Sequence, residues 1–575
     1  MSRDRTGGPS DAVVLAVIGA VTALGLLVWL WGGVAGTLFG RGWPAAGGLG
    51  GVLGVLTSLP SHLSDPAAAW RGAARAELPG AAGCYGALAL VAAATALVMT
   101  AAQRAGLSSL VRGRDPGARW ASRGELRALG GRGRSSGATG RLVLGRAGRR
   151  TLYAEQRHAL VAFGPPQSGK SAGLAIPALL EWEGPAVASS IKTDLLGATI
   201  VRRRALGTVL VFDPFALAGV ESHTWSPLGG ARTWDGALEV AWRMAAAGEL
   251  DQKGVEGGDF WAIAAEQRLA PLLYAAAGTG APIDRVVRWA YGQGLRELDE
   301  ALAELTGRAG DDEQQLADAH AAYDAVRAFE AQADRTRSSI EATAQGLLRA
   351  YRFTRVARSA RSCQITADRI LDEAATLYLI GDAKASKLLR PIFLALVSEV
   401  VDRAYERANA NGGRLKLPLL LCLDEAGNVA PLPNLAEIAS TAPSHNIQLV
   451  SIFHDLAQAR SRYAKQAETV VNAHRARMLL PGVADLETLR YFSGLVGEEE
   501  AREHTRTTGA GGTTRSSGSR RRRPLIAAEA LRQLPDGHAL LLYGRLAPVQ
   551  VRLRMWFTDR RLRRLGTPTQ AKEQR

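Results

Sequence analysis

Eight consecutive residues, Gly164-Pro165-Pro166-Gln167-Ser168-Gly169-Lys170-Ser171, have the types and spacing needed to hold a polyphosphate. They fit G-x-x-x-x-G-K-[ST] without a departure. The glycines let the backbone curl around an anion with its N–H groups pointing inward. A helix that starts at the anion adds the positive end of its dipole. In such a loop the Lys170 ammonium reaches the β- and γ-phosphates of ATP, and the Ser171 hydroxyl ligates Mg²⁺. The bland alternative is a glycine-rich strand–helix turn that binds nothing. The text on either side opposes it: an apolar run, Ala159–Phe163, comes before, and a helix-like run, SAGLAIPALLEW, comes after.

A second constellation is Asp424-Glu425, delivered by the apolar run Leu417–Leu423. Ligands of α/β sheets bind where strands end, so a carboxylate pair at a strand end is well placed. Asp424 is expected to hold the Mg²⁺ water shell, and Glu425 to orient and deprotonate the attacking water. Two acids in this place favour hydrolysis over switch-like binding. A third run, Ile447–Phe453, ends in His454, a candidate γ-phosphate sensor whose plain alternative is a solvated strand-end histidine.

These side chains need a frame. Strand candidates are Ala159–Phe163, Ala186–Ile191, Thr208–Phe212, Thr376–Ile380, Leu417–Leu423, Ile447–Phe453 and Arg477–Leu480, with Ala539–Tyr543 and Val549–Trp556 near the end. Strands spaced by helical text predict a parallel α/β sheet with crossovers. Between about 214 and 375 the strands stop and helical periodicity takes over, which predicts an all-helical insertion. Residues 505–523, TRTTGAGGTTRSSGSRRRR, have the composition of a disordered loop.

The N-terminal hundred residues exclude a simple soluble protein. Ala12–Trp31 and Gly83–Ala102 are each twenty residues without a charge, long enough as helices to cross the hydrocarbon core of a bilayer. From Gln103 to Arg150 there are twelve Arg against two acids. That flank is expected to stay cytoplasmic, which places the N-terminus there too and residues 33–82 outside. Gly42–Ser64 also lacks formal charge, but it carries six glycines between 42 and 54. It is expected to be an interfacial or loosely folded external segment rather than a third span.

The chain has 575 residues and a net charge of +16, from 70 basic and 54 acidic residues, with only eight Lys among the basic ones. Excess Arg sits in 103–150, in the run ending at Arg523 and in the tail from Arg545, a pattern suited to sequence-independent phosphate contact. Juxtamembrane Arg also serves topology and anionic lipids. Three cysteines lie far apart without a CxxC, which excludes a disulfide scaffold and a cysteine zinc site.

Taken in order, these motifs resemble a family, the membrane-anchored coupling ATPases of type IV secretion and conjugation of the TraG/TraD kind. The resemblance runs through ARWASRGEL (118–126), the phosphate loop, SIKTDLLGAT (190–199), VFDPF (211–215), WSPL (225–228), RTRSSIEATAQGLL (335–348) and LDEAGNVAPLPNL (423–435), the last in the region usually called the TraM-recognition domain. It implies an α/β fold, a RecA-like P-loop core with an all-α insertion, preceded by two transmembrane helices. The implied organisation is a membrane anchor over 1–102 (helices about 12–31 and 83–102), a basic linker over 103–150, nucleotide-binding parts over 151–282 and 336–560, the insertion over 283–335, and a basic tail over 561–575. It further implies a homo-hexameric motor at the bacterial plasma membrane that recruits a relaxase on single-stranded DNA and works with the other membrane components of the secretion apparatus.

Two departures matter. Many members end the sensor strand in Gln, where this chain has His454. Many carry an Arg shortly before that strand, able to reach a neighbour's nucleotide, where this chain reads Ser-Thr-Ala-Pro-Ser-His-Asn-Ile over 440–447. The remaining arginine-finger candidates are Arg475 and Arg477. Rival readings are a chromosome translocase of the FtsK kind, which would carry a long Pro/Gln-rich linker, and a secretion ATPase for protein cargo. A silent docking receptor is a third, opposed by the intact Lys170, Asp424 and Glu425.

Overall fold

Short runs of Val, Ile and Leu with no polar alternation form strands only where both faces are covered. In the computed structural model they do so within a single sheet. It describes residues 9–45, 48–104, 117–130, 140–156, 158–251, 258–508 and 514–567. The strands are β1 (Val143–Ala147), β2 (Arg150–Tyr153), β3 (Leu160–Phe163), β4 (Ala186–Ser190), β5 (Val209–Phe212), β6 (Thr376–Ile380), β7 (Leu419–Leu423), β8 (Ile447–Phe453), β9 (Ala476–Leu479), β10 (Glu498–Thr508), β11 (Thr514–Pro524), β12 (His538–Tyr543) and β13 (Val549–Arg552). Eleven of them share the order β2-β1-β13-β12-β9-β3-β8-β7-β4-β6-β5. From β9 to β5 every pairing is parallel, and from β9 to β2 every pairing is antiparallel.

Successive side chains point to opposite faces. Val161, Phe163, Leu421 and Leu423 therefore pack into one buried layer, and Leu160, Ala162, Leu420 and Cys422 into the other. The consequence for function is positional. All seven parallel strands deliver their carboxyl ends to one edge, and β8 lies between β3 and β7.

Helices fill the gap between β5 and β6. They run from Trp234–Asp251 through Asp334–Leu348 to Ala367–Asp372, within the helical text expected between about 214 and 375 and beyond the narrower insertion bounds of 283–335. Its apolar faces, with Leu269, Leu273, Trp289, Leu302 and Leu347, join the same buried layer as β5 and β6.

The structure corrects the sequence reading elsewhere. Residues 505–523 were expected to be disordered, but on either side of 509–513 the backbone pairs as β10 and β11, in register from Glu498↔Pro524 to Thr508↔Thr514. The alternating Thr and Arg text is polar on both faces, so it carries no burial signal, yet it is compatible with a two-stranded ribbon. The basic linker ends early as well. Leu126, Leu129, Leu142 and Leu144 are buried in the sheet's second layer, and β1 begins at Val143. In the basic tail, Arg560–Gly566 is a helix that buries Leu562.

The chain divides into two compact units, Met1–Pro116 and Gly117–Arg575. The first holds the helices Pro9–Phe39 and Ala81–Arg104, both long and apolar enough to cross a membrane. The segment between them is not loose. It contains the helix Gly48–Ser58, too short to span, and buries Val52, Val55 and Trp70. The glycines near the end of the first helix allow that packing. A Cβ at Gly32 would stand 2.9 Å from the Trp70 ring, and one at Gly36 would stand 2.1 Å from the Gly42 carbonyl.

Candidate active site

The phosphate loop is the turn between β3 and the helical segment Ser171–Glu181. It is tied to the neighbouring strand by the Gly164 N–H, which donates to the Phe453 carbonyl at 3.0 Å. Two residues take left-handed backbone conformations, Gln167 with φ 67° and Gly169 with φ 86°. Only the second is a glycine, so Gln167 is held against its own preference. Gly164 is required by space, since a Cβ there would stand 2.4 Å from the Ser168 hydroxyl. The first helical turn after Lys170 is wide, a π turn over Ser171–Ala175, and Pro177 lacks the N–H that a regular turn would use. Such turns concentrate at functional sites. After β13 the chain covers the loop from outside. The Trp556 N–H donates to the Ala172 carbonyl at 3.0 Å, and the Met555 methyl would stand 2.6 Å from a Cβ on Gly169.

On this scaffold five predicted residues meet. Lys170 Nζ donates to Glu425 Oε1 at 2.5 Å and to His454 Nδ1 at 3.0 Å. His454 Nε2 lies 2.9 Å from Glu425 Oε2, so the ring accepts on Nδ1 and donates from Nε2. Ser171 Oγ donates to Asp424 Oδ2 at 2.5 Å. Glu425, at φ 68°, is a second strained non-glycine residue, turned at the end of β7. Its backbone neighbours are anchored on both sides, Asp424 N–H to the Ser189 carbonyl and Ala426 N–H to the Ile452 carbonyl.

Lys170 is 7% exposed, Asp424 2% and Glu425 4%, so their charges act in a poorly screened medium. Burial pushes Asp424 up to about 6, against the pull of the Ser171 hydroxyl and Lys170. Burial also pushes Glu425 upward, but the hydrogen bonds from His454 and Lys170 outweigh it and bring this carboxyl down to about 2. The two acids are thus separated by environment, with Glu425 held as an anion.

Two polar atoms here are buried without a partner, Ser168 Oγ and Asp424 Oδ1. Buried polar atoms are normally paired, so these mark space for a ligand. A serine hydroxyl beside carboxylate oxygens suits a hard dication such as Mg²⁺, and the curled loop with the Lys170 ammonium suits a polyphosphate. The residues present therefore fit both groups.

The structure does not bring Arg475 and Arg477 to this edge. They lie at the amino-terminal end of β9, where Ala476 pairs with Leu160. Arg475 pairs with Glu155 at 3.4 Å and stacks over Tyr543. Arg477 donates to the carbonyls of Val471 and Asn472, both at 3.0 Å. One residue was missed from the sequence, Asn428, whose Nδ2 donates to Glu425 Oε2 at 3.0 Å. An amide three residues beyond the Asp-Glu pair was the available signal.

Two relatives from Escherichia coli, both conjugal transfer protein TraG, are 25% and 24% identical over 401 and 407 residues, each match covering 65% of this chain. The chain spans about 62% and 61% of their lengths. Among solved structures, the unbound bacterial conjugative coupling protein TrwBdeltaN70 is similar with a TM-score of 0.56 at 17% identity, over 76% of this chain and 93% of that one. The plasmid coupling protein TrwB in complex with ADP and Mg²⁺ gives the same values. At this identity the likeness establishes the fold alone, the RecA-like P-loop fold. A family model described as "Type IV secretory system Conjugative DNA transfer" matches residues 119–575, most of the chain, and the chain belongs to that family.

Proposed function

We propose that this chain is the ATP-hydrolysing coupling protein of a conjugative transfer apparatus, recruiting a relaxase on single-stranded DNA and driving its export. The observation that carries the reading is the meeting of Lys170, Ser171, Asp424, Glu425 and His454 at the ends of β3, β7 and β8, with two buried oxygens left unpaired. It is supported by relatives named for conjugal transfer and by a structural neighbour described with ADP and Mg²⁺.

Gly164 to Ser171 would hold the triphosphate, and Ser171 with Asp424 would hold Mg²⁺. Mg²⁺-ATP, when bound, supplies the bond to be cleaved and a dication that offsets its charge. The rest belongs to the chain. Lys170 is bonded to Glu425 and His454, and an anion in the loop competes for its ammonium. Once Lys170 turns to that anion, Glu425 is free to orient a water and take its proton. Asn428 holds the far carboxylate oxygen, and His454 bridges Lys170 and Glu425, placed to report what occupies the loop.

The assembly is proposed to be a homo-hexameric ring on the cytoplasmic face of the plasma membrane, anchored by Pro9–Phe39 and Ala81–Arg104 with both termini inside. Arg475 and Arg477, placed away from their own chain's phosphate loop, remain the candidates for a finger that reaches a neighbour's nucleotide.

The test is phosphate release from ATP by the full-length protein. Glu425→Gln should bind ATP like the wild type and turn over about 10²–10⁴-fold more slowly. Wild-type turnover in that variant removes the base assignment. An absence of phosphate release by the wild type, with and without DNA, removes the hydrolase reading.

A further inference from the structure

Between Glu341 and Asp368 the chain has no acid and five arginines, spaced by three: Arg349, Arg352, Arg355, Arg358 and Arg361. Three-residue spacing matches the helices that carry them. Arg349 and Arg352 lie on a 3₁₀ turn, Arg349–Arg352, and Arg355 and Arg358 on the helix Thr354–Ser359. Residues three apart eclipse on the first and share a face on the second. All five are exposed, while Ala350, Tyr351, Val356, Ala357 and Ala360 between them are buried.

An arginine-rich composition alone does not explain this face, because the neighbouring helices treat arginine differently. Arg308 pairs with Glu304, Arg327 with Glu330, Arg337 with Asp334 and Arg369 with Glu373. The five arginines of the 349–361 face form no ion pair with a described carboxylate.

Aromatic rings sit among these charges. The Arg352 guanidinium lies 5.2 Å over the Tyr291 ring. Phe353 is 47% exposed, and its ring is braced edge-on by Phe215 at 6.1 Å between centroids. A large apolar ring, about half open to water, stands here in a run of cations. It is the arrangement that stacks an unpaired base while the cations contact phosphates on either side. A duplex would use the cations and leave the ring unused.

We infer that the face formed by Arg349, Arg352, Phe353, Arg355, Arg358 and Arg361 is a contact surface for single-stranded nucleic acid. The inference rests on the DNA-handling reading above and names where the strand is gripped. Phe215 follows β5, whose carboxyl end points to the same edge as the phosphate loop. β5 is three strand spacings from β7, about 14 Å at the usual separation.

The experiment uses the full-length protein in nanodiscs and a fluorescent thymidine oligonucleotide, with a duplex of equal length for comparison. The variant Arg352→Gln/Arg355→Gln/Arg358→Gln should lower oligonucleotide affinity about tenfold or more. It should also flatten the slope of log affinity against log salt by about 2, from about 0.7 per lost single-strand contact. Phe353→Ala should lower oligonucleotide affinity about tenfold without changing the slope or duplex binding. Binding of a fluorescent ATP analogue should be unchanged in both variants, which separates a lost surface from a lost fold. Wild-type oligonucleotide affinity and slope in both variants overturn the inference. So does a triple-variant loss that is equal for duplex and single strand while Phe353→Ala is silent, and so does a loss seen only with phosphatidylserine vesicles. A wild-type protein that binds neither DNA sinks the DNA-handling reading itself. A wild type that binds DNA and variants that bind it equally sink only this surface.

Discussion

At the carboxyl-terminal edge of the sheet, charged side chains bond to one another; at the amino-terminal end of β9 they bond mainly to the backbone. The first group is Lys170, Glu425 and His454 in a closed triangle. Beside it are two unpaired buried oxygens and two strained residues, Gln167 and Glu425. The second group is His474, Arg475 and Arg477. His474 is fully buried, with Nδ1 donating to the Val470 carbonyl at 2.7 Å and Nε2 accepting from Ser451 Oγ at 3.1 Å. Arg477 caps the carbonyl end of the helix Ala467–Ala473, where a cation is favoured. The residue types are alike, but the second set is satisfied within the chain and the first is not. Strain and unfinished hydrogen bonding, rather than charge, distinguish a site from a brace.

The comparison can be broken by substitution at either end. The largest effect is expected for Lys170→Ala. Removing one member of a buried charge pair costs about 2–5 kcal/mol, so affinity for a fluorescent ATP analogue should fall at least about 30-fold. Unchanged affinity would return the loop to a plain strand–helix turn.

Next is the acid response of the second group. Burial lowers His474 from its ordinary 6.5 to about 4, against the favourable bond to Val470. The folded state holds it neutral, so its contribution is complete above about 6.5 and is lost as pH falls from there to about 4. A depression of this size corresponds to about 3 kcal/mol. Thermal unfolding of wild type and His474→Gln across this window should show a steeper acid loss for the wild type; parallel curves would contradict the assignment.

Arg477→Ala should cost about 1.5–3 kcal/mol of stability, the scale of hydrogen bonds from a charged group. Turnover per folded molecule should be unchanged. A variant as stable as wild type but inactive would instead place Arg477 in a neighbouring copy's active site.

The smallest effect concerns the hairpin. Arg523 pairs with Glu499 at 2.8 Å and is 66% exposed, and Arg522 stands in register with Glu500. Exposed pairs contribute about 0–1 kcal/mol. Because acids stand beside Arg522 and Arg523 and no described carboxylate pairs with the 349–361 face, replacing Arg520–Arg523 with Ser should reduce DNA affinity less than the triple change at Arg352, Arg355 and Arg358. The opposite ranking would make the hairpin the main DNA contact.

Much of the site was legible because its chemistry is local. Eight adjacent residues form the loop, and two adjacent residues end β7. The arginine face was equally local, since a period of three over 349–361 is visible without coordinates. A period of three among apolar residues forms no block of charge, so composition alone does not reveal it. The hairpin was misjudged because its text lacks the apolar alternation that marks a half-buried strand.

By itself the sequence determined the phosphate loop, the carboxylate pair, the strand-rich core and two helices long enough to cross a bilayer. Each follows from residues within a few turns of one another, where backbone geometry leaves few choices. Tertiary structure alone decided that β8 runs between β3 and β7, and so that Lys170 meets Glu425 and His454 across 255 and 284 positions of chain. It alone turned Arg475 and Arg477 to the opposite end of the sheet. Strand order and side-chain partners are set by which surfaces bury together, and that balance is struck over the whole core rather than within any segment of it.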